Sequence, residues 1–431
     1  MIEDFVFDYA GYISIFLLFF FMLLTIPVFV SMGLAAFISA LLIDDPFLVF
    51  KTLVNTTWQG ASIFELIALP LFIFTGTIMQ RTDAGRDLFD VTKAWAGAIP
   101  NSLGVSTIMA CGIFAAISGS SVATAATVGL VAIPLLLEEG YGERRSGGFV
   151  AGGGTLGIII PPSIPLILYG VITETSIGQL FIGGVVPGII MMSLFTIYVL
   201  FSRPQVKIAH HVPMRERVKI TVSSLGVVLL PGIIIAAIYT GIFTPTEVGA
   251  LSVIYVIILG LAQRRLNFEK LKGAAIVATA TTSMLFMLIV YGQYFAHFLT
   301  FEQVPQSIAS AIIENASGVY AVTLMILAYI VLGMFLESAA MLLISIPIFF
   351  PVATQLGMDP LAFGIFAAIA MEIAQISPPI GVNLFTIHGI SKINLWTLAR
   401  GAFPFLMIQI VMLYVVYFFP QIVTWLPSQM N

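Results

Sequence analysis

Between residues 115 and 170 an apolar run of membrane grade is interrupted twice, first by Ser118-Gly119-Ser120-Ser121 and then by Ile159-Ile160-Pro161-Pro162-Ser163, and neither break carries a charge. Proline lacks a backbone donor and pushes the preceding residue out of the α region, so Pro161-Pro162 must unwind a helix and strand carbonyls without partners. The Gly/Ser break ends one half-helix and exposes the amides of the next. In lipid such backbone survives only where it is buried in protein or lines a cavity, and in transporters that cavity is commonly the ion and substrate site. Taken singly, each break also fits a kink between packed helices.

A second copy separates the two readings. Gln375-Ile376-Ser377-Pro378-Pro379-Ile380 repeats the Pro-Pro break 217 residues after Pro161. The same offset carries Ser118 to residue 335, beside Leu336-Glu337-Ser338-Ala339, and Ala132-Ile133-Pro134 is echoed by Ser345-Ile346-Pro347. Interrupted segments at corresponding positions of two halves are the best sequence pointer to the binding site of a secondary transporter.

With 59% hydrophobic and 9% charged residues, the chain reads as an all-α polytopic membrane protein. That composition makes the lipid bilayer its medium, and a net charge of −4 with no basic cluster of nucleic-acid type predicts no nucleic-acid partner. The single cysteine, Cys111, lies in an apolar run and reads as a packing residue. The acidic start Met1-Ile2-Glu3-Asp4 has the wrong sign for a cleavable signal, so the first span is expected to be retained.

All seventeen Lys and Arg lie outside the apolar cores, which orients the spans by the positive-inside rule. Residues 5–43 provide two spans joined near Thr25-Ile26-Pro27, another span covers 61–79, and Arg81 to Trp95 reads as an interfacial helix. Residues 100–137 enter and return, either as a re-entrant hairpin tipped at Ser118–Ser121 or as two thin spans. A linker with Arg203, Lys207, Arg215, Arg217 and Lys219 is the clearest cytoplasmic loop; His210-His211 within it read as solvated, since no metal-ligand spacing surrounds them. The second half then runs in the opposite sense, with 263–272 inside and the hairpin 318–356 entering from outside, which gives two inverted-topology repeats. The expected divisions are 1–99, scaffold and arm; 100–202, hairpin, broken helix and following span; 203–220, linker; 221–317, second scaffold and arm; and 318–431, second hairpin, broken helix and last span.

Residues 114–129 (FAAISGSSVATAATVG), 156–170 (LGIIIPPSIPLILYG), 180–188, 241–247, 332–364 and 376–385 (ISPPIGVNLF) resemble, in order, the large membrane subunit (DctM type) of tripartite ATP-independent periplasmic (TRAP) transporters. The resemblance implies a sodium-driven importer of a small organic acid, of the carboxylate or sulfonate class, in the bacterial inner membrane. It implies two partners: a periplasmic substrate-binding protein and a small four-helix membrane subunit, expected as a separate chain because no such segment precedes Met1. It also implies an elevator mechanism, in which a transport domain of hairpins and broken helices slides against a scaffold. By the same resemblance one sodium site falls on Ser118, Ser120, Gly157 and Pro161 and the other on Glu337, Ser377 and Pro379, and solute contacts fall on Ser118, Ser163 and Glu337. The family usually has Asp at the last position, and Glu reaches about one methylene further.

The residues suit that chemistry. Sodium is a hard cation that unwound carbonyls and Ser hydroxyls can hold, and half-helix amides after Ser118-Gly119-Ser120 can meet a carboxylate without a basic side chain. Glu337 in an apolar run is a functional candidate by default, although a tip acid can also stay solvated. Glu65, Glu247 and Glu372 read as structural hydrogen-bonding groups, and His297 and His388 as interfacial. No G-x-x-x-x-G-K-[ST] loop is present, so no ATP is expected. An intramembrane serine hydrolase lacks a base near Ser120, and a channel fits duplicated broken segments less well than alternating access does.

Overall fold

The computed structural model describes residues 2–97, 99–202, 212–315, 318–378 and 381–430. Among these residues there is no β-strand. The first half contains α1 (Ile2–Leu23), α2 (Val28–Ile43), α3 (Pro46–Ala61), α4 (Ala68–Arg81), α5 (Ala84–Ala96), α6 (Ser102–Ser118), α7 (Ser121–Glu138), α8 (Glu143–Gly154), α9 (Leu156–Ile159), α10 (Ile164–Thr173) and α11 (Ile177–Phe201). The second contains α12 (Met214–Ser223), α13 (Leu225–Tyr239), α14 (Pro245–Ala262), α15 (Phe268–Phe301), α16 (Val304–Asn315), α17 (Val319–Leu332), α18 (Ser338–Gln355), α19 (Pro360–Gln375), α20 (Val382–Ser391), α21 (Leu395–Phe418) and α22 (Gln421–Thr424). Of the linker, 203–211 lies outside the described residues, with Arg203, Lys207, His210 and His211 in it, as does Pro379.

Local signals set the boundaries. Thr25 at φ 63° followed by Pro27 separates α1 from α2 at the expected junction. Asp45 caps α3, its Oδ1 accepting from Phe47 N at 2.8 Å, with Pro46 in the first turn where its missing N–H costs nothing.

The repeat is exact in register over the hairpins: α6, α7 and α8 begin at 102, 121 and 143, and α17, α18 and α19 begin 217 residues later at 319, 338 and 360. From α10 onward the spacing is 218, so the second Pro-Pro break holds one residue more. The segments before each hairpin differ more, since the 34-residue α15 stands where the first half has α3 and α4 separated by a bend.

The hairpin alternative is decided by contact. A Cβ on Gly157, midway along the broken span 143–173, would lie 2.6 Å from Ser121 N, so the first tip stops at mid-depth and the hairpin is re-entrant. In the second half Gly333 packs on Ala374 in the same way. The repeats then interlock. The α10 helix packs on α18 and α20 on α7, while α8 crosses α21 and α19 crosses α11. Tyr169 of α10 anchors the packing on α18 and α19, its hydroxyl donating to Pro360 O at 2.6 Å and its ring edge-on to Phe350. At the crossing with α21, Gly147, Gly148 and Gly152 let α8 lie directly against Leu398, Gly401 and Phe405. Cys111 is buried in this core.

Three basic segments meet at one end. Arg265 pairs with Asp87 of α5, and Trp95 Nε1 donates to Thr221 Oγ1 of α12 at 2.9 Å. The arm α5 is therefore pinned to loops of the second half, on the side that the charges assign to the cytoplasm. In intact cells, cysteines replacing Lys219 and Lys270 are expected to resist an impermeant thiol reagent, whereas one replacing Glu174 is expected to react. Labelling of the first two from outside would reverse the inverted repeat.

Candidate functional site

Both tips and both breaks converge on one cavity of about 120 Å³. Ser120, Ser121 and Val122 come from the first tip, Ile164 and Pro165 from the first break, Glu337, Ser338 and Ala339 from the second tip, and Gln375 and Val382 from the second break. Thr281, Met284 and Leu285 of α15 line the remaining wall.

Four helices, α7, α10, α18 and α20, thus begin at this cavity. Each N-terminus presents amides that its own helix cannot satisfy and a partial positive charge. Among the described residues no Lys, Arg or His lines the cavity, and Glu337 is the one charged residue there. Four N-termini around one small cavity can bind an anion without a basic side chain.

Close backbone packing holds these starts in place. Gly119 at φ +61° lets α6 turn into α7, and its own Cβ would lie 2.6 Å from Pro162 O. Ile164 N donates to Gly119 O at 3.4 Å, tying the tip to the first break, which contains the cis Pro161-Pro162 bond. Ser120 and Glu337, 217 residues apart, are the N-caps of α7 and α18. Ser120 Oγ accepts from Ala123 N at 3.3 Å, whereas Glu337 makes no cap bond and its Oε1 is buried without a partner.

The sequence-derived residues fall in two layers. Ser120 and Glu337 line the cavity. Ser118 sits behind the tip, its Oγ 3.0 Å from Thr124 Oγ1 and 3.3 Å from Ser120 O. Ser163 is buried and caps α10, its Oγ accepting from Leu166 N at 3.4 Å. Gly157 and Pro161 are buried beside the first tip, and Ser377 Oγ donates to Ile373 O at 2.6 Å.

Gln375, Ser121 and Ser338 were not singled out from the sequence. Ser121 Oγ donates to Gln375 Oε1 at 3.0 Å, and Gln375 Nε2 donates to Ser338 Oγ. The repeat offset pairs Ser121 with Ser338 and was the signal that could have found them. Of the three carboxylates expected to be structural, Glu247 behaves so, accepting from Thr244 N at 2.8 Å in a capping box. Glu372 is fully buried with Ser121 as its polar neighbour, a hydroxyl it shares with Gln375. Near the end of α20, His388 Nδ1 lies 2.7 Å from Ile393 O.

A family model described as "Tripartite ATP-independent periplasmic transporter, DctM component" matches residues 15–422. The chain belongs to this family. It is 36% identical over 402 residues to the C4-dicarboxylate TRAP transporter large permease protein DctM of Pseudomonas aeruginosa, covering 92% of this chain and 94% of that one. It is 31% identical to the isethionate TRAP transporter permease protein DctMQ of Oleidesulfovibrio alaskensis, over 96% of this chain and 65% of that longer protein. The ectoine TRAP transporter large permease protein TeaC of Halomonas elongata is 32% identical over 94% of this chain and 96% of its own. The solved structure of the Alcanivorax borkumensis YdaH transporter superposes with a TM-score of 0.61 over 96% of this chain and 98% of that one; at 16% identity the likeness concerns the fold alone. This DctM subunit is therefore a multi-pass transporter protein of the bacterial inner membrane, not an enzyme. Its family works with a small membrane component and a periplasmic binding protein.

Proposed function

We propose that this DctM chain is the translocating subunit of a sodium-coupled importer of a small organic acid, carboxylate or sulfonate. The observation that carries the reading is the convergence of four half-helix N-termini on a cavity without a basic side chain. Such a cavity suits an anion that arrives with cations. The relatives' named solutes, C4-dicarboxylates and isethionate, are of that class, and ectoine extends it to carboxylates that also carry positive charge.

Ser118, Ser120, Gly157 and Pro161 are proposed to hold one sodium ion through tip and break oxygens, and Glu337, Ser377 and Pro379 a second. The solute is proposed to meet the amides beside Ser118 and Ser163 and to lie against Glu337. Hairpins and broken helices, within 100–202 and 318–431, form the moving unit in this reading, and 1–99 and 221–317 the scaffold. The small membrane subunit is proposed to be a separate chain.

The driving force suffices without ATP. One sodium ion gains about 2.3 kcal/mol across 100 mV and about 1.4 kcal/mol from a tenfold gradient, so two ions offer roughly 7 kcal/mol. A monoanion entering against the same potential takes back about 2.3 kcal/mol. The remainder, about 5 kcal/mol, supports an accumulation above a thousandfold.

The test is uptake of radiolabelled succinate, isethionate and ectoine into proteoliposomes holding this chain with its small membrane subunit. Accumulation of one of them is expected only when the periplasmic binding protein is added outside. Strong uptake by the isolated chain would show that it does not work as part of a tripartite system.

A further inference from the structure

Gln375 ties the two hairpin tips together across the candidate cavity. Its amide carbonyl accepts from Ser121 in the first turn of α7, and its amide nitrogen donates to Ser338 in the first turn of α18. Both partners are hydroxyls, so the bridge persists if the two ends of the amide are exchanged. Gln375 is buried, lines the cavity and stands at the end of α19, one step before the second Pro-Pro break. The serines are repeat equivalents, yet the clasp occurs once, because the position matching Gln375 in the first repeat is Ile158.

A carrier that takes solute in must come back without it. On the return, the site must close with its hydroxyls and amides facing no solute, and buried polar groups left unpaired are costly. The clasp removes part of that cost, since it pairs both serines and the glutamine amide with one another. We propose that Gln375 is a positioning residue for the empty return step, holding the tips together when no solute bridges them. When solute binds, its oxygens take over contacts with the half-helix starts, and the clasp is no longer needed for closure. The proposal rests on the transport reading above.

The two steps separate kinetically. Net uptake requires the empty return in every turnover, whereas exchange of internal for external solute moves a loaded site in both directions. The experiment uses proteoliposomes of the complete membrane complex with binding protein in excess outside, and whichever of radiolabelled succinate, isethionate or ectoine the unaltered protein accumulates. Gln375→Leu is expected to lower net uptake about tenfold, as loss of two neutral hydrogen bonds implies, and to lower exchange by a clearly smaller factor. Ser338→Ala, which deletes one bond and little volume, is expected to show the same split more weakly. It also serves as the deciding variant if Gln375→Leu does not assemble. An equal fall in net uptake and exchange, or no change in either, would overturn the assignment. Failure of the unaltered protein to accumulate any of the three solutes would instead count against the transport reading.

Discussion

Gly157→Ala is expected to abolish solute uptake by this DctM chain while leaving it folded in the membrane. The added methyl would sit 2.6 Å from Ser121 N and 2.7 Å from Ser120 C, so the obstacle is the backbone of the first tip rather than a side chain that can rotate away. Overpacking of this kind costs about 1–3 kcal/mol. The chain can relieve it by lifting the tip, which displaces Ser120 and the N-terminus of α7 from the cavity. A shift worth about 2.7 kcal/mol reduces the population of the closed site roughly a hundredfold. Gly232→Ala is the control, because a Cβ there meets nothing within 4 Å. Uptake and detergent-extracted monodispersity of both variants decide the matter. Normal transport by Gly157→Ala would mean that the tip need not close against the broken helix.

Glu337→Gln is expected to raise the sodium concentration needed for half-maximal uptake by tenfold or more. Among the described residues Glu337 is the one charged group lining the cavity, and its Oε1 is buried with no protein partner. Hydrogen bonds and contacts to a charged group contribute on the order of 1.5–3 kcal/mol, which corresponds to about ten- to hundredfold in affinity. The amide keeps the shape and one carbonyl oxygen, so a smaller effect on maximal rate at high sodium is expected. Unchanged sodium dependence would leave Glu337 as a structural N-cap position of α18. By comparison Ser163→Ala removes a helix cap and is expected to cost about 1 kcal/mol, since Ser163 Oγ bonds to Leu166 N rather than facing the cavity.

The large features of this fold are written in local sequence. Proline pairs, a Gly/Ser break and basic loops act within a few residues, and the offset of 217 between the two Pro-Pro pairs exposes the repeat without any knowledge of packing. Those features placed both tips and both breaks, and they assign each half a sense that cysteine labelling tests. They could not decide between a re-entrant hairpin and thin spans, because α6 and α7 are 17 and 18 residues long, near the limit for crossing. That answer came from a contact between Gly157 and Ser121, which only the tertiary structure brings together.

The interior of the site was less legible. A glutamine three residues before Pro378 looks like any polar residue at a helix end, and its partners lie 254 and 37 residues away. Glu372 shows the same limit from the other side. An acid in an apolar helix is expected to find a hydrogen bond, but the hydroxyl it meets belongs to the other repeat and is shared with Gln375, one turn along the same helix. Side-chain pairing between repeats depends on the rotation of each helix about its axis, which breaks and charges do not specify.

The central claim is that cation gradients drive an anion through one cavity closed by two tips. Its most direct test is accumulation in proteoliposomes of the complete membrane complex with binding protein outside, comparing an inward sodium gradient, an equal choline gradient, and sodium equal on both sides with no potential. Concentrative uptake in the first condition alone is predicted, with enhancement when the interior is made negative. Equal accumulation with choline, or uptake that never exceeds the external concentration, would contradict sodium-coupled transport at this site.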